Sequence, residues 1–228
     1  MDSGFVKRLL EDDFKDKNPK QSDNSLRVLG WLAITLGVIV VVVGVLVYGQ
    51  DWFRSISESA TYYGTAYILP FILGGMTIYF LGYRGYAKID RIFAKIMAAA
   101  AFVTSVFQCK TQYNISAGKI GLLGVSTDVS NLWHSVGAMT LFLFLACWIG
   151  FLFTRTKEGT VTPQKKVRKR VFAVIALIML VGIGFVTCGM ICESSSFPFV
   201  FWGEIIILIP AGIAILTKAG SVPWLNDN

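Results

Sequence analysis

The chain has 228 residues, of which 54% are hydrophobic and only 15% are charged, and its mean hydropathy is +0.62. A soluble domain has about 25% charged residues, so this composition excludes an ordinary soluble globular protein. The net charge of +7 does not indicate a nucleic-acid partner, because the basic residues alternate with apolar segments along the chain.

Six apolar segments follow a polar N-terminal tail, residues 1–28, that holds six basic and six acidic residues. A bilayer core about 30 Å thick needs about 20 apolar residues in a helix. Each of the following segments is therefore predicted to cross the membrane: Leu29–Tyr48, Ser59–Tyr83, Ile92–Gln108, Val129–Thr154, Val171–Cys192 and Phe199–Thr217. The predicted fold class is all-α: a polytopic membrane protein with a six-helix transmembrane domain, residues 29–217, and a short C-terminal tail, residues 218–228.

The basic residues predict the orientation. Alternate connecting segments, taken from the N-terminal tail onward and with Lys95 counted at the near end of its span, hold 18 and 3 lysine and arginine residues respectively. Basic residues are enriched on the cytoplasmic side of membrane proteins, so both termini are predicted to be cytoplasmic. The basic run Lys165–Arg170 is explained by this topology and by attraction to anionic headgroups, and a dedicated lipid-binding role is the alternative.

Polar side chains collect near the predicted outer ends of the spans. Glu204 lies 14 residues before Lys218, which places it about 21 Å above the cytoplasmic end of a helix. Ionisable groups inside a membrane are costly and are therefore functional candidates. The first outer loop, the start of span four and the end of span five bring further polar groups to the same level. The predicted ligand pocket consists of Ser55, Ser57, Glu58, Tyr62, Tyr63, His134, Glu193 and Glu204.

Several chemistries remain open for this pocket. A pair of Glu204 and His134 could relay protons, and Ser57 with His134 and a glutamate has the residue types of a hydrolytic triad. His134, Glu193 and Glu204 could together hold a metal ion, but a single histidine excludes the usual three-histidine zinc site, and no metal or cofactor is predicted. Alternatively, Glu204 accepts hydrogen bonds from hydroxyl groups and His134 is a packing residue.

Three of the four cysteines, Cys109, Cys188 and Cys192, fall near the same outer end. The outer side of a membrane is often oxidising, so Cys109 could form a disulfide with either of the other two. Buried free thiols are the alternative, since cysteine is a common small core residue.

An ordered set of motifs resembles a known family. The set consists of Ser55–Tyr63, Leu81–Tyr86, His134, Thr162–Arg168 and Phe201–Glu204. Together they resemble a family of uncharacterised six-span bacterial membrane proteins that is described only as a domain of unknown function. The first outer loop also resembles, more distantly, the six-span Frag1/DRAM/Sfk1 group, which acts in lipid or autophagy-related membrane processes. The resemblance implies six spans and a bacterial inner membrane, and it supplies no known reaction.

The leading functional prediction is an integral membrane protein whose outward-facing polar pocket binds a lipid headgroup or a small polar ligand. Membrane lipids are then its partners, and nucleic acid is not. A small transporter or proton-coupled channel that uses Glu204 is the second prediction, although few polar residues continue toward the cytoplasmic side. The third is a membrane-embedded lipid hydrolase, which requires Ser57 or a metal ion within hydrogen-bonding reach of His134. The sequence leaves the oligomeric state open.

Overall fold

Six long helices account for most of the computed structural model, which describes residues 19–47, 49, 53–62, 65–83, 85, 87–155, 162–192 and 197–225. The helices are α1 (Pro19–Val41, continued by the π-helical segment Val42–Val47), α2 (Ile68–Gly82), α3 (Lys88–Val106), α4 (Thr127–Cys147, continued by the π-helical segment Trp148–Leu152), α5 (Pro163–Ile191) and α6 (Phe199–Lys218). Short 3₁₀ helices cover Ser57–Thr61, Ile115–Ala117 and Pro223–Leu225. Strand β1 (Lys119–Ile120) pairs antiparallel with β2 (Val125–Ser126).

The six helices form a closed ring. Each helix packs against its neighbours in the chain, and α6 packs extensively against α1, which closes the ring. One end of the bundle, the loop end, carries residues 53–62, 107–126 and 197–198; the opposite end, the tail end, carries residues 153–155 and 219–225. The interior is filled by side chains that are fully buried, among them Leu29, Phe80, Met97, Trp148, Phe172 and Ile207.

Four of the helices are long and apolar enough to cross a membrane, in the ranges Asn24–Val41, Thr127–Leu152, Pro163–Ile191 and Phe199–Lys218. The all-α, multi-pass membrane character predicted from the sequence is thus confirmed. Helix α2 is apolar but has only 15 residues, which makes it about 22 Å long. Helix α3 has charged residues in its first turn, where the Asp90 carboxylate accepts a hydrogen bond of 2.8 Å from the Ala87 N–H and so caps the helix.

Three predicted boundaries differ from the observed ones. The second span was placed at Ser59–Tyr83, but the chain forms a 3₁₀ helix at Ser57–Thr61 and the α-helix begins only at Ile68. Helix α1 begins at Pro19, inside the predicted polar tail. Proline is favoured at the first position of a helix, and the lysine and glutamine that follow it are good helix formers. Helix α5 begins at Pro163, eight residues before the predicted span, because Thr162 caps it: its hydroxyl accepts a hydrogen bond from the Lys165 N–H.

Glycine pairs bring the backbones of α5, α6 and α1 into contact. A Cβ atom at Gly182 would lie 2.9 Å from the Gly203 carbonyl oxygen, and one at Gly212 would lie 2.7 Å from the Gly30 carbonyl oxygen. Neither position has room for a methyl group. Helices in a membrane associate largely through such close packing, since lipid tails are as apolar as the side chains they would replace.

We expect Gly182→Ala to destabilise the protein by about 1–3 kcal/mol, because the added methyl group must push α5 away from α6. Gly184→Ala is the matched control on the same helix, since a Cβ atom there meets nothing within 4 Å. Thermal unfolding of the two purified variants in detergent micelles measures the difference. Equal midpoints for the two variants would contradict the close packing of these helices.

Candidate binding site at the loop end

The first loop folds down into the ring of helices. Residues 57–60 are buried although three of them are polar. Two hydrogen bonds within the loop satisfy the polar groups of Ser59: its hydroxyl donates to the Ile56 carbonyl oxygen, and the Thr65 hydroxyl donates to the Ser59 carbonyl oxygen at 2.6 Å. Irregular backbone is tolerated at such depth only where protein groups satisfy its N–H and C=O groups. The run of serine and threonine residues in this loop provides those groups.

Glu204 on α6 holds the first loop in place. Its carboxylate accepts a hydrogen bond from the Ile56 N–H and a second, of 3.1 Å, from the Ser57 hydroxyl. Both contacts are buried, and Glu204 is only 4% exposed. One turn earlier on the same helix, the Phe201 N–H donates to the Arg54 carbonyl oxygen at 3.0 Å. The loop is therefore attached to α6 by main-chain and side-chain hydrogen bonds together.

Glu58 organises the outer part of the same loop. One carboxylate oxygen accepts a hydrogen bond from the Arg54 N–H, and the Glu58 N–H donates to the Ser55 hydroxyl at 2.8 Å. Burial raises the pKa of Glu58 above its ordinary value of 4.5, and the Arg54 N–H and the Arg54 charge partly offset this. The carboxylate thus lies at the border between the buried loop and the outer surface.

A cavity of about 610 Å³ opens above this loop. Polar side chains on one part of its wall come from the first loop, from the segment after α3 and from the start of α4: Arg54, Ser55, Glu58, Cys109, Lys110, Thr111, Gln112 and Asn131. The remaining wall is largely apolar. It comes from Ile115, from the end of α5 and from the segment that leads into the first turn of α6: Gly189, Cys192, Phe197, Pro198, Phe199 and Val200. Its volume falls within the range of about 300–1,000 Å³ that is usual for small-molecule sites.

The segment after α3 is held as firmly as the first loop. The Ser130 hydroxyl accepts a hydrogen bond from the Gln108 N–H and donates to the Gln108 carbonyl oxygen, both at 2.9 Å. The Asn131 side chain accepts from the Lys110 N–H at 2.8 Å. The hydroxyl groups of Thr61 and Thr111 lie 2.7 Å apart and so join this segment to the first loop. The cavity wall is therefore preformed by hydrogen bonds.

His134 lies elsewhere and caps helix α3. Its Nδ1 atom lies 3.1 Å from the Thr104 carbonyl oxygen and 2.7 Å from the Phe107 carbonyl oxygen. These carbonyl groups belong to the end of α3, where the backbone lacks helical partners. Two acceptors at Nδ1 require that this atom carries the proton. In the described part of the chain, no hydrogen bond joins His134 to Ser57 or Glu204, and its buried Nε2 atom has no partner.

A narrow central cavity of about 30 Å³ lies beneath Glu204, inside the ring. Ser57, Thr104 and Glu204 are the polar residues among its described lining, and half of the other lining residues are leucines from several helices. The volume is enough for one or two water molecules. No polar path continues through the described lining of this cavity toward the tail end.

The structure divides the residues that were predicted to share one pocket. Ser55 and Glu58 line the outer cavity, whereas Ser57 and Glu204 form a buried contact below it. Tyr62 packs its ring against Phe53 and Tyr113, with centroid distances of 6.0 and 5.4 Å. Tyr63 and Glu193 lie outside the described residues.

All four cysteines carry free thiols. The disulfide considered between Cys109 and either Cys188 or Cys192 is therefore not formed.

The sequence reasoning missed several residues of the cavity wall, notably Arg54, Lys110 and Gln112. Charged and amide side chains in exposed loops are common, so nothing in their local sequence distinguished them. One feature of the sequence pointed to this part of the wall: Cys109 and the residues after it stand at the start of the longest predicted outer loop.

We expect Glu204→Leu to destabilise the protein by about 2–5 kcal/mol, because it leaves the buried Ile56 N–H and the Ser57 hydroxyl without acceptors. Glu204→Gln is the control: its amide oxygen can accept one hydrogen bond and its amide nitrogen can donate to Ser57. Thermal unfolding of both variants in micelles, with limited proteolysis at the first loop, measures the effect. If both variants lose the same stability, hydrogen bonding to the loop is not what Glu204 provides.

We expect His134→Leu to loosen the end of α3, since two buried carbonyl groups lose their donor, at a cost of about 1–3 kcal/mol. Hydrogen exchange of the α3 amides should accelerate there. His134→Asn, whose amide group can still donate, should retain part of the protection. A His134→Leu variant that exchanges as slowly as the unmodified protein would show that the histidine has no capping role.

No family model, no curated protein and no solved structure matches this chain. The resemblance to the six-span bacterial family therefore stays a prediction drawn from the sequence motifs.

Proposed function

We propose that this chain is a six-span membrane protein with cytoplasmic termini, whose outward-facing cavity at the loop end binds the headgroup of a phospholipid. The observation that carries the proposal is the composition of the cavity wall. Two cations, Arg54 and Lys110, and one carboxylate, Glu58, line the cavity together with aromatic and aliphatic residues at the start of α6, in the range 197–200. A headgroup with its first acyl carbons presents the same combination of charge and apolar surface.

Two observations, on the length of α2 and on the charges of α3, support six spans. Helix α2 is too short to cross a bilayer core of about 30 Å alone, but the buried first loop extends the packed layer above it. The charges at the start of α3 lie in its first turn, which leaves an apolar helix interrupted only by Lys95. A lysine near one end of a span can extend its amine to the headgroups.

The charges in the cavity favour a phosphate-bearing ligand. Arg54 is exposed, and the Lys110 ammonium lies 3.0 Å from the Asp128 carboxylate in a pair that is itself largely exposed. Exposed pairs of this kind contribute little stability, so Lys110 can exchange its partner for a ligand phosphate at small cost. Glu58 would then lie near a cationic group such as the ammonium of a zwitterionic headgroup.

Two other functions receive less support from the geometry. A hydrolase would need Ser57 activated by His134, but the Ser57 hydroxyl donates to Glu204 and the His134 Nδ1 atom faces carbonyl groups. A transporter would need polar groups through the bundle, and the central cavity is small and mostly apolar. Binding without chemistry or translocation is the function that these contacts favour.

The proposal is tested by photocrosslinking in lipid nanodiscs. Protein is reconstituted in phosphatidylcholine with a small fraction of phosphatidylethanolamine that carries a photoreactive group near the headgroup. Crosslinks should concentrate in residues 109–115 and 197–200, and Arg54→Gln with Lys110→Gln should reduce them several-fold, since each cation near a headgroup contributes about 1 kcal/mol.

The matched control is Lys119→Gln, a basic residue of the same outer loop that is exposed and does not line the cavity. This variant should crosslink like the unmodified protein. Crosslinks that are spread evenly around the bundle, or that survive the Arg54 and Lys110 substitutions unchanged, would overturn the proposal.

A further inference from the structure

A second cavity, of about 200 Å³, lies at the tail end and is strongly basic. Three helix ends form it: the segment after α4, the first turns of α5 and the last turn of α6. Its basic residues are Arg155, Lys165, Arg168, Lys169 and Lys218. Among the described residues, no carboxylate lines it. The cavity is at the opposite end of the bundle from the proposed headgroup site and does not depend on it.

The basic residues of α5 that reach this cavity occupy one face of the helix. Lys165, Arg168, Lys169 and Phe172 are spaced as i, i+3, i+4 and i+7, which aligns their side chains. The three basic residues of this face are half-buried, whereas Lys166 and Arg170 in the same run are exposed. A topological signal requires only a number of basic residues near the membrane. It does not explain why one subset lines a cavity.

The floor of the cavity is aromatic and fixed. The rings of Phe153 and Phe172 pack with centroids 5.4 Å apart, and the Lys218 ammonium lies 5.4 Å from the Phe153 centroid. The Arg168 guanidinium donates a hydrogen bond of 3.0 Å to the Leu225 carbonyl oxygen, which holds it at the cavity wall. Two of the five cationic groups, those of Arg168 and Lys218, are therefore positioned at the cavity by hydrogen bonding and ring contact.

We propose that this cavity binds a compact phosphate-bearing anion. Like charges within about 10 Å of one another repel at moderate salt, and an anion between them offsets this repulsion. Basic pockets between helices on the cytoplasmic side are suited to anionic headgroups. A volume below the usual range of about 300–1,000 Å³ for small-molecule sites fits one phosphate group with a small substituent. The phosphate can belong to an anionic lipid or to a soluble phosphate ester.

Two double variants with the same change in charge test this proposal. Lys165→Gln with Lys169→Gln alters the cavity wall, and Lys166→Gln with Arg170→Gln alters the exposed side of the same helix. Purified full-length protein is titrated with phosphatidic acid in phosphatidylcholine nanodiscs, and separately with inorganic phosphate and pyrophosphate in neutral detergent at constant ionic strength. Native mass spectrometry counts bound lipid, and thermal unfolding reports the soluble anions.

The cavity variant should bind at least about tenfold more weakly than the exposed-face variant, since two cations near a phosphate contribute about 1 kcal/mol each. A loss seen only with phosphatidic acid assigns the site to a lipid headgroup, and the same loss with pyrophosphate assigns it to a soluble anion. Lys165→Arg with Lys169→Arg keeps the charge and should retain binding, which separates lost binding from lost folding. Equal weakening by both double variants, or no weakening by either, would overturn the proposal.

Discussion

The hydrogen bonds between the Glu204 carboxylate and the first loop are the interaction on which the rest of the loop end depends. A carboxylate inside a bundle is costly unless donors surround it. Here the donors come from the Ile56 backbone and the Ser57 side chain. The same contacts remove the cost of burying an irregular loop. The carboxylate and the loop thus satisfy each other's buried polar groups. The loop is thereby fixed and forms the floor of the outer cavity.

That floor lies directly above the short helix at the second position of the ring. Helix α2 has 15 residues, and the buried 3₁₀ helix Ser57–Thr61 occupies the layer above its start. The close contacts of α6 with α5 and α1, through the pairs Gly182–Gly203 and Gly30–Gly212, fix the position of Glu204 relative to both neighbours. Backbone proximity on two sides therefore sets the depth at which the loop is held.

Hydropathy predicted the helices because apolar length is a local property, and it identified Glu204 because a charge in an apolar run is conspicuous. It failed at residues 59–61 and 65–67. Their uncharged polar side chains read as part of a span, although hydroxyl groups that bond to nearby backbone compete with a regular helix, and these residues form a 3₁₀ helix and turns. The capping role of His134 could not be predicted from local sequence either, because the two carbonyl groups that it contacts are 27 and 30 positions away in the chain. The basic run Lys165–Arg170 was visible as charge, but which of its members face inward depends on where α5 begins.

The cavities at the two ends of the bundle differ in the signs of the charged residues that line them. At the loop end, Arg54, Lys110 and Glu58 combine both signs beside an apolar wall, so a ligand with both charges can be accommodated at little net electrostatic cost. At the tail end, five cations share a smaller cavity with no acid among its described lining. Salt screens the attraction between an anion and a cluster of cations, so the proposed anion binding at this end should weaken as the salt concentration rises. The described lining of the central cavity between them is mostly apolar, and no polar path through it joins the two ends, which favours two independent sites over one path.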